Sequence, residues 1–329
     1  MFPGEGAGTP LAGALPFPCP DRAQPALGTL GLVRRRGPLA ATLLATTLAS
    51  CSWFGSQASP GTIVVPPPAS PAPEPSELAV TQPNVNHVHG LATLGAGQPV
   101  FIARHTGVES KSPGAPPQAL GAGPHGDVLQ VAIAPDGSLY AAGHGTGLQV
   151  SHDGGTTWAP PAADVAGLDV HGFAFDPSHP EQLYVYAVGK GILVSSDRGA
   201  HWEHRAGWAD GHYLAGLTVT ADGTLLAGSV ELGIAASPDH GANFVSVRAG
   251  TGQVYSLAAS PSSADVAVAA TENGLFLTTS GGDDWDVAQT SELLTGVTID
   301  PADPRHLYAG GAEGTLYTST DQGASWALL

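Results

Sequence analysis

Residues 151–158 read SHDGGTTW, and the octet returns as SSDRGAHW at 195–202, SPDHGANF at 237–244, TTSGGDDW at 278–285 and STDQGASW at 319–326. Its anchor positions are Asp153, Asp197, Asp239, Ser280 and Asp321, spaced by 44, 42, 41 and 41 residues. A fixed period of this length marks one supersecondary unit used repeatedly. Each octet ends on a large ring: Trp158, Trp202, Phe244, Trp285 or Trp326.

Working outward from the octet, every unit has the same internal order. A short apolar run comes first, such as HGFAFD at 171–176 or TGVTID at 295–300. A turn such as PDG or DPADP follows, then a second run such as LYVYA at 183–187. Glycine opens a third run, such as GILVS at 191–195, and the octet turns the chain into a short fourth. Four short strands per unit, punctuated by Gly and Pro and with no helical period between them, predict propeller blades. Radial closure would protect the strand edges. A β-solenoid is the alternative, but its rungs recur at shorter periods. The chain is therefore expected to be all-β, a single β-propeller of about six four-stranded blades over 85–329. The sixth unit is 87–110, HVHGLATLGAGQPVFIARHTGVES, whose octet is lost into KSPGAPPQ. A seventh blade would need shared or cryptic strands.

The octet resembles the Asp box, the bacterial neuraminidase repeat (BNR), of the sialidase-like propellers. The HVHGL opening with later Asp boxes is similar to exported bacterial propellers labelled glycosyl hydrolases. The resemblance implies a structural aspartate, whose carboxylate accepts hydrogen bonds from its own turn. The aromatic ring would pack beneath the hairpin. Asp153, Asp197, Asp239 and Asp321, with Ser280 as a weaker substitute, are assigned to structure on this ground.

A functional site belongs elsewhere, on the face formed by inter-blade loops and second-to-third-strand hairpins. Polar residues on that face include His125, His212 and Tyr213. His89 and His171 hold the same position in two units, each followed by Gly, and His105 and His144 follow two second strands. With His87 beside them, these imidazoles are expected near the channel mouth, where nearby carboxylate suits a divalent transition metal, copper or zinc. The plainer alternative is that they bind water and one another. For glycoside hydrolysis, Asp127, Asp169, Asp210 and Glu231 are the carboxylates that could form an acid/base pair. Asp164 and Asp176 read as loop or turn groups. The resemblance would place three arginines in a sialidase, but Arg198 lies inside an octet and Arg305 in a turn, which argues against that activity. A non-catalytic reading needs no such set: the propeller face would bind a protein or glycan ligand and act as a binding or assembly module.

The amino-terminal region reads as an address. Residues 31–51 are GLVRRRGPLAATLLATTLASC, a basic triplet and a short apolar run ending in LASC. The run is too short to span a bilayer as a mature helix. LASC resembles a bacterial lipobox, which implies cleavage before Cys51 and lipid attachment there. Residues 1–50 are thus a leader, with a natural start near residue 33. Residues 51–84 are a Pro-rich tether, extended in part as polyproline II. The expected location is exported, as a periplasmic or cell-surface lipoprotein held to the membrane by its anchor alone. The 329-residue chain has 11 basic and 28 acidic side chains and a formal charge of -17. Such a surface argues against nucleic acid as a partner. Its two cysteines, Cys19 and Cys51, leave the repeats without a thiol nucleophile or disulfide framework.

Overall fold

The computed structural model describes residues 86–329, apart from 122, 124, 125, 289 and 291. The leader, Cys51, the tether and His125 lie outside the described residues. Among the described residues there are six antiparallel sheets in chain order, each one blade. Their inner strands are Gly90–Thr93, Val128–Ile133, Val170–Phe175, Leu214–Val219, Val254–Ala259 and Leu294–Ile299. Blade 3 shows the pattern, with Leu183–Ala187, Gly191–Ser195 and Glu203–Arg205 following outward. Blade 2 has three full strands, and an isolated Val150–Ala159 bridge stands where a fourth would be. Two single-turn 3-10 helices, Ala163–Val165 and Trp208–Gly211, interrupt a chain that its sequence predicts to be free of helix. No helix among the described residues is long and apolar enough to cross a membrane.

The unit lacking an Asp box still makes a complete blade. Gly107–Lys111 pairs with a two-residue strand, Gln118–Ala119, so SPGAPP, the middle of the segment KSPGAPPQ, becomes the loop between them.

The core is six layers rather than one centre. Apolar clusters sit between successive blades, for example Phe173, Val185 and Leu148 between blades 2 and 3, and Leu217, Leu225 and Tyr184 between blades 3 and 4. Burying such a side chain contributes about 1.5–3 kcal/mol, and neither blade can bury it alone. The last layer closes the ring. Val88, Leu91 and Ile102 of blade 1 pack on Tyr308 and Leu316 of blade 6. Among the described residues no strand is shared: the strands of blade 1 fall within 90–119 and those of blade 6 within 294–328. Closure rests instead on Val88, whose side chain faces Gly296 and Gly310 and whose carbonyl accepts from Thr295 Oγ1 at 2.7 Å.

The Asp boxes are hydrogen-bonded turns. Asp153 Oδ1 accepts from the Thr157 N–H at 2.8 Å and Oδ2 from the Thr157 hydroxyl at 2.7 Å. Ser151 Oγ accepts from the Gly155 N–H at 2.8 Å, and the Trp158 indole donates to the Gly155 carbonyl at 3.0 Å. Asp197, Asp239 and Asp321 make the same contacts with His201, Asn243 and Ser325. The turn needs two successive left-handed residues; Arg198 and Gly199, at φ 61° and 88°, supply them in blade 3. In blade 5 Ser280 accepts only the Asp284 N–H, at 3.0 Å, and the Trp285 indole nitrogen finds no partner.

Candidate metal centre at the channel mouth

Three ring positions define the mouth, each filled once per blade. Just before the inner strands stand His87, Asp127, Asp169, Tyr213, Gln253 and Leu293. In the hairpins after the second strands stand His105, His144, Val188, Val230, Glu272 and Ala312. The third position lies at the start of the inner strand. In blade 3 it is His171, the unpaired residue of a bulge between Val170 and Gly172. Bulges re-aim a side chain without ending the strand, and His89 occupies the matching place in blade 1. Metal-binding side chains therefore crowd the sector of blades 1 to 3, while aromatic, amide and aliphatic groups predominate opposite.

The tightest group is His89, His105 and Asp127. His89 Nε2 lies 3.2 Å from Asp127 Oδ1, His105 Nδ1 lies 2.9 Å from the same oxygen, and the two nitrogens are 3.3 Å apart. Ligand atoms about 2.1 Å from one ion stand about 3.0 Å apart in an octahedron and about 3.4 Å apart in a tetrahedron. Two edges of this nearly equilateral triangle, 3.2 and 3.3 Å, fall between those limits, and the third, 2.9 Å, lies just below them. Asp127 Oδ1 is buried, yet meets no donor in hydrogen-bond geometry among the described residues. The two nitrogens meet one another in hydrogen-bond geometry and approach the oxygen as close charge contacts. Three ligand atoms this close together fit a cation held in common.

The second group is arranged differently. His144 Nδ1 and His171 Nε2 both bond Asp169 Oδ1, at 2.8 and 3.1 Å, and His171 Nδ1 meets the Tyr213 hydroxyl at 2.6 Å. These contacts are aligned, so Asp169 fixes two imidazoles. The far nitrogen of His144 is turned toward the first group, 3.8 Å from Asp127 Oδ2. An Asp–His pair aimed at a ligand cluster is the arrangement by which outer carboxylates orient metal-binding histidines. His105–Asp127 and His144–Asp169 are the same hairpin-to-strand pair, displaced by one blade.

The electrostatics follow from this crowding. Burial opposes ionisation of Asp127, but contact with His89 and the charges of His89, His105 and His144 outweigh it, so its carboxyl lies below the usual range. His87 stacks on His89 with centroids 4.7 Å apart. Burial, then the charges of His89, His105 and Arg104, push its pKa down to about 4 against the opposing pull of Asp127. It is a neutral ring at neutral pH and stands outside both ligand groups. The buried Arg104 was not singled out in the sequence. It pairs with Glu109 at 2.7 Å and donates to the Asn86 carbonyl, fixing the segment that carries His87 and His89. Its position just before His105 was the available signal.

The predicted residues thus separate. The five histidines do not form one site: four fall into two groups of two, each with one aspartate, and His87 flanks the first. Asp127 and Asp169, read as carboxylates for acid/base work, each contact two or more imidazoles. Asp210 lies elsewhere, bonded to His204 at 2.6 Å and to the Gly207 N–H of a 3-10 turn on the outer strand side. Glu231 is mostly exposed and faces His212 at 3.5 Å. Asp176 is a turn group, accepting from the Ser178 and His179 N–H groups. No arginine is among the residues lining the channel.

This is a six-bladed propeller carrying Asp boxes. A protein-family profile described as the BNR/Asp-box repeat matches residues 149–160. No curated protein matches the chain. Among solved structures, the propeller is similar to a GH74 enzyme from Niastella koreensis (TM-score 0.53, 16% identity, 74% of this chain and 47% of that one). It is similar to an ancestral GH74 enzyme (0.51, 18%, 74% and 38%) and to the GH74 xyloglucanase from Xanthomonas campestris (0.50, 19%, 74% and 45%). The chain spans less than half the length of each. At these identities the likeness concerns the propeller fold and is not specific to sialidases.

Proposed function

We propose that this chain is an exported propeller whose channel mouth holds one divalent transition-metal ion, zinc or copper, on His89, His105 and Asp127. The observation that carries the reading is the triangle of donor atoms with edges of 2.9, 3.2 and 3.3 Å, one corner of it a buried carboxylate oxygen that meets no donor in hydrogen-bond geometry among the described residues. His144, held by Asp169 through Nδ1, turns its Nε2 toward this group, 3.8 Å from Asp127 Oδ2. Three protein ligands with a position left for an outside molecule are the pattern of catalytic and ligand-capturing sites, whereas structural sites close with four. Bound there, the metal would act as a Lewis acid on an oxygen donor delivered through the mouth. His89, His105 and Asp127 hold the ion, and Asp169 and Tyr213 orient the imidazoles around it.

The test is metal analysis of the full-length chain purified without chelator, followed by zinc titration. One ion per chain is expected, and Asp127→Asn should weaken binding by more than about 100-fold, beyond the loss from an outer-shell change. No ion, together with equal zinc affinity in the wild type and the variant, would sink the reading.

A glycoside hydrolase of non-sialidase type is the second reading. The fold it shares with GH74 enzymes supports it, as does the presence of Asp127 and Asp169 at one mouth. Release of reducing sugar from β-glucans, unchanged by chelator and lost in Asp169→Asn, would favour it over the metal centre. A binding module presenting this face to a protein or glycan is the reading to retain if neither activity nor ion is found. Export, lipid attachment at Cys51 and the absence of a nucleic-acid partner rest on the sequence: the LASC tetrad, the Pro-rich tether and the acidic charge.

A further inference from the structure

The histidine groups occupy only one end of the central channel. The cavity, about 820 Å³ with the histidine mouth included, is lined by all six inner strands; below the mouth its partly exposed side chains are apolar at Leu129, Ile133, Phe175 and Ala258 and polar at Gln130 and Thr218. At the far end Pro135, Pro177, Pro261 and Pro301 ring the opening. Proline brings no N–H to satisfy. Six residues of extended chain separate the histidine ring from the proline ring, a depth of about 17–20 Å at the strand rise.

A propeller channel normally has a reason to be wet. The inner strand of each blade is a sheet edge, and its free N–H and C=O groups need partners. Here side chains supply partners for five of these groups. Gln130 reaches out of blade 2, accepting the Phe173 N–H at 2.8 Å and donating to the Phe173 and Leu217 carbonyls at 2.6 and 3.1 Å. Thr218 Oγ1 accepts the Ala259 N–H at 3.0 Å, and Ser256 Oγ accepts the Val297 N–H at 3.3 Å. These bridges between blades leave fewer polar groups of the wall for an apolar molecule to desolvate.

We infer that the channel is a binding site for an amphiphile: an apolar body seated among the inner strands, with one oxygen-donor head, such as a carboxylate or hydroxamate, at the histidine mouth. The head's partner rests on the metal reading above, but the apolar body does not. The cavity is within the size range of small-molecule sites, and Leu129, Ile133 and Phe175 give it an apolar stretch below the histidines. Leu129 and Tyr255 are partly exposed at the start of two inner strands, where they form the shoulder between head and body.

The experiment is calorimetric titration of the full-length chain with straight-chain alkyl hydroxamates, from acetyl to octanoyl, in zinc-loaded and chelator-stripped protein. Each added methylene should raise affinity about fourfold until the channel is filled. Zinc should add a constant factor at every chain length. Leu129→Gln should flatten the dependence on length, and Ile133→Gln, deeper in the wall, serves if the first variant does not fold. Dependence on length without any zinc increment would uphold the channel and overturn the metal centre. Affinity independent of length in both forms would overturn the channel inference, whatever zinc does.

Discussion

Ring closure without a shared strand can be tested at one atom pair. A Cβ placed on Gly296 would lie 2.6 Å from Val88 Cγ1, while the next nearest atoms, the Gly90 nitrogen and Cα, stand at 3.4 and 3.5 Å. Val88 is fully buried and its β-branched side chain has little rotamer freedom. Gly296→Ala should therefore force blades 1 and 6 apart at the seam, costing about 1–3 kcal/mol as an overpacked site does. For a domain of this size that lowers the melting temperature by roughly 2–4 °C per kcal/mol. Val88→Ala removes the two offending methyl groups and should itself cost about 2 kcal/mol in lost burial and residual cavity. If the clash is the whole penalty, the double variant should be about as stable as Val88→Ala alone, a coupling of about 1–3 kcal/mol. Urea unfolding of the four proteins measures the cycle. Costs that add to within about 0.5 kcal/mol would refute the packed seam. Because Val88 lies between His87 and His89, Gly296→Ala should also weaken zinc binding, and the double variant should recover part of it.

The Asp boxes predict acid sensitivity. Hydrogen bonds to the serine, backbone and neighbouring side chains hold Asp153, Asp197, Asp239 and Asp321 at about 2, below the ordinary value of 3.8. A depressed folded-state pKa gives stability that is full above about pH 4 and is lost as pH falls toward 2. Single Asp→Asn variants should show a shallower loss between those limits, and a slope equal to wild type would remove the boxes from the acid transition. In blade 5 the acidic and polar positions are exchanged, Ser280 with Asp284, where blade 2 has Asp153 with Thr157. Ser280→Asp alone sets two carboxylates against each other and should lower the melting temperature, while Ser280→Asp with Asp284→Thr rebuilds the box and should raise it above the single variant; equal melting of the two would contradict the account. Radiolabelled palmitate fed to a bacterial host should label the chain and fail to label Cys51→Ala; label retained in the variant would place the lipid elsewhere or nowhere.

Much of this protein was written in local chemistry, and local chemistry can be read along a chain. Each Asp box satisfies its own hydrogen bonds within eight residues, so its Asp, Gly and aromatic positions recur openly and fix the period. Strand alternation and turn residues are equally local, and they carried the blade count to six. The site was only half legible. His89 with His171, and His105 with His144, betrayed their equivalence because they sit in matching places of the repeat. What the sequence did not reveal is which histidine meets which aspartate, since His105 and Asp127 belong to different blades and are joined only by the rotation between them. The same holds for the channel, whose lining is drawn from six strands spread across the whole domain. Closure at Val88 is the longest case, because residues 88 and 295 meet only when the ring is complete. The sequence by itself determined the unit. The tertiary structure decided the order of donors around the mouth, because radial packing brings together groups that no stretch of chain holds in common.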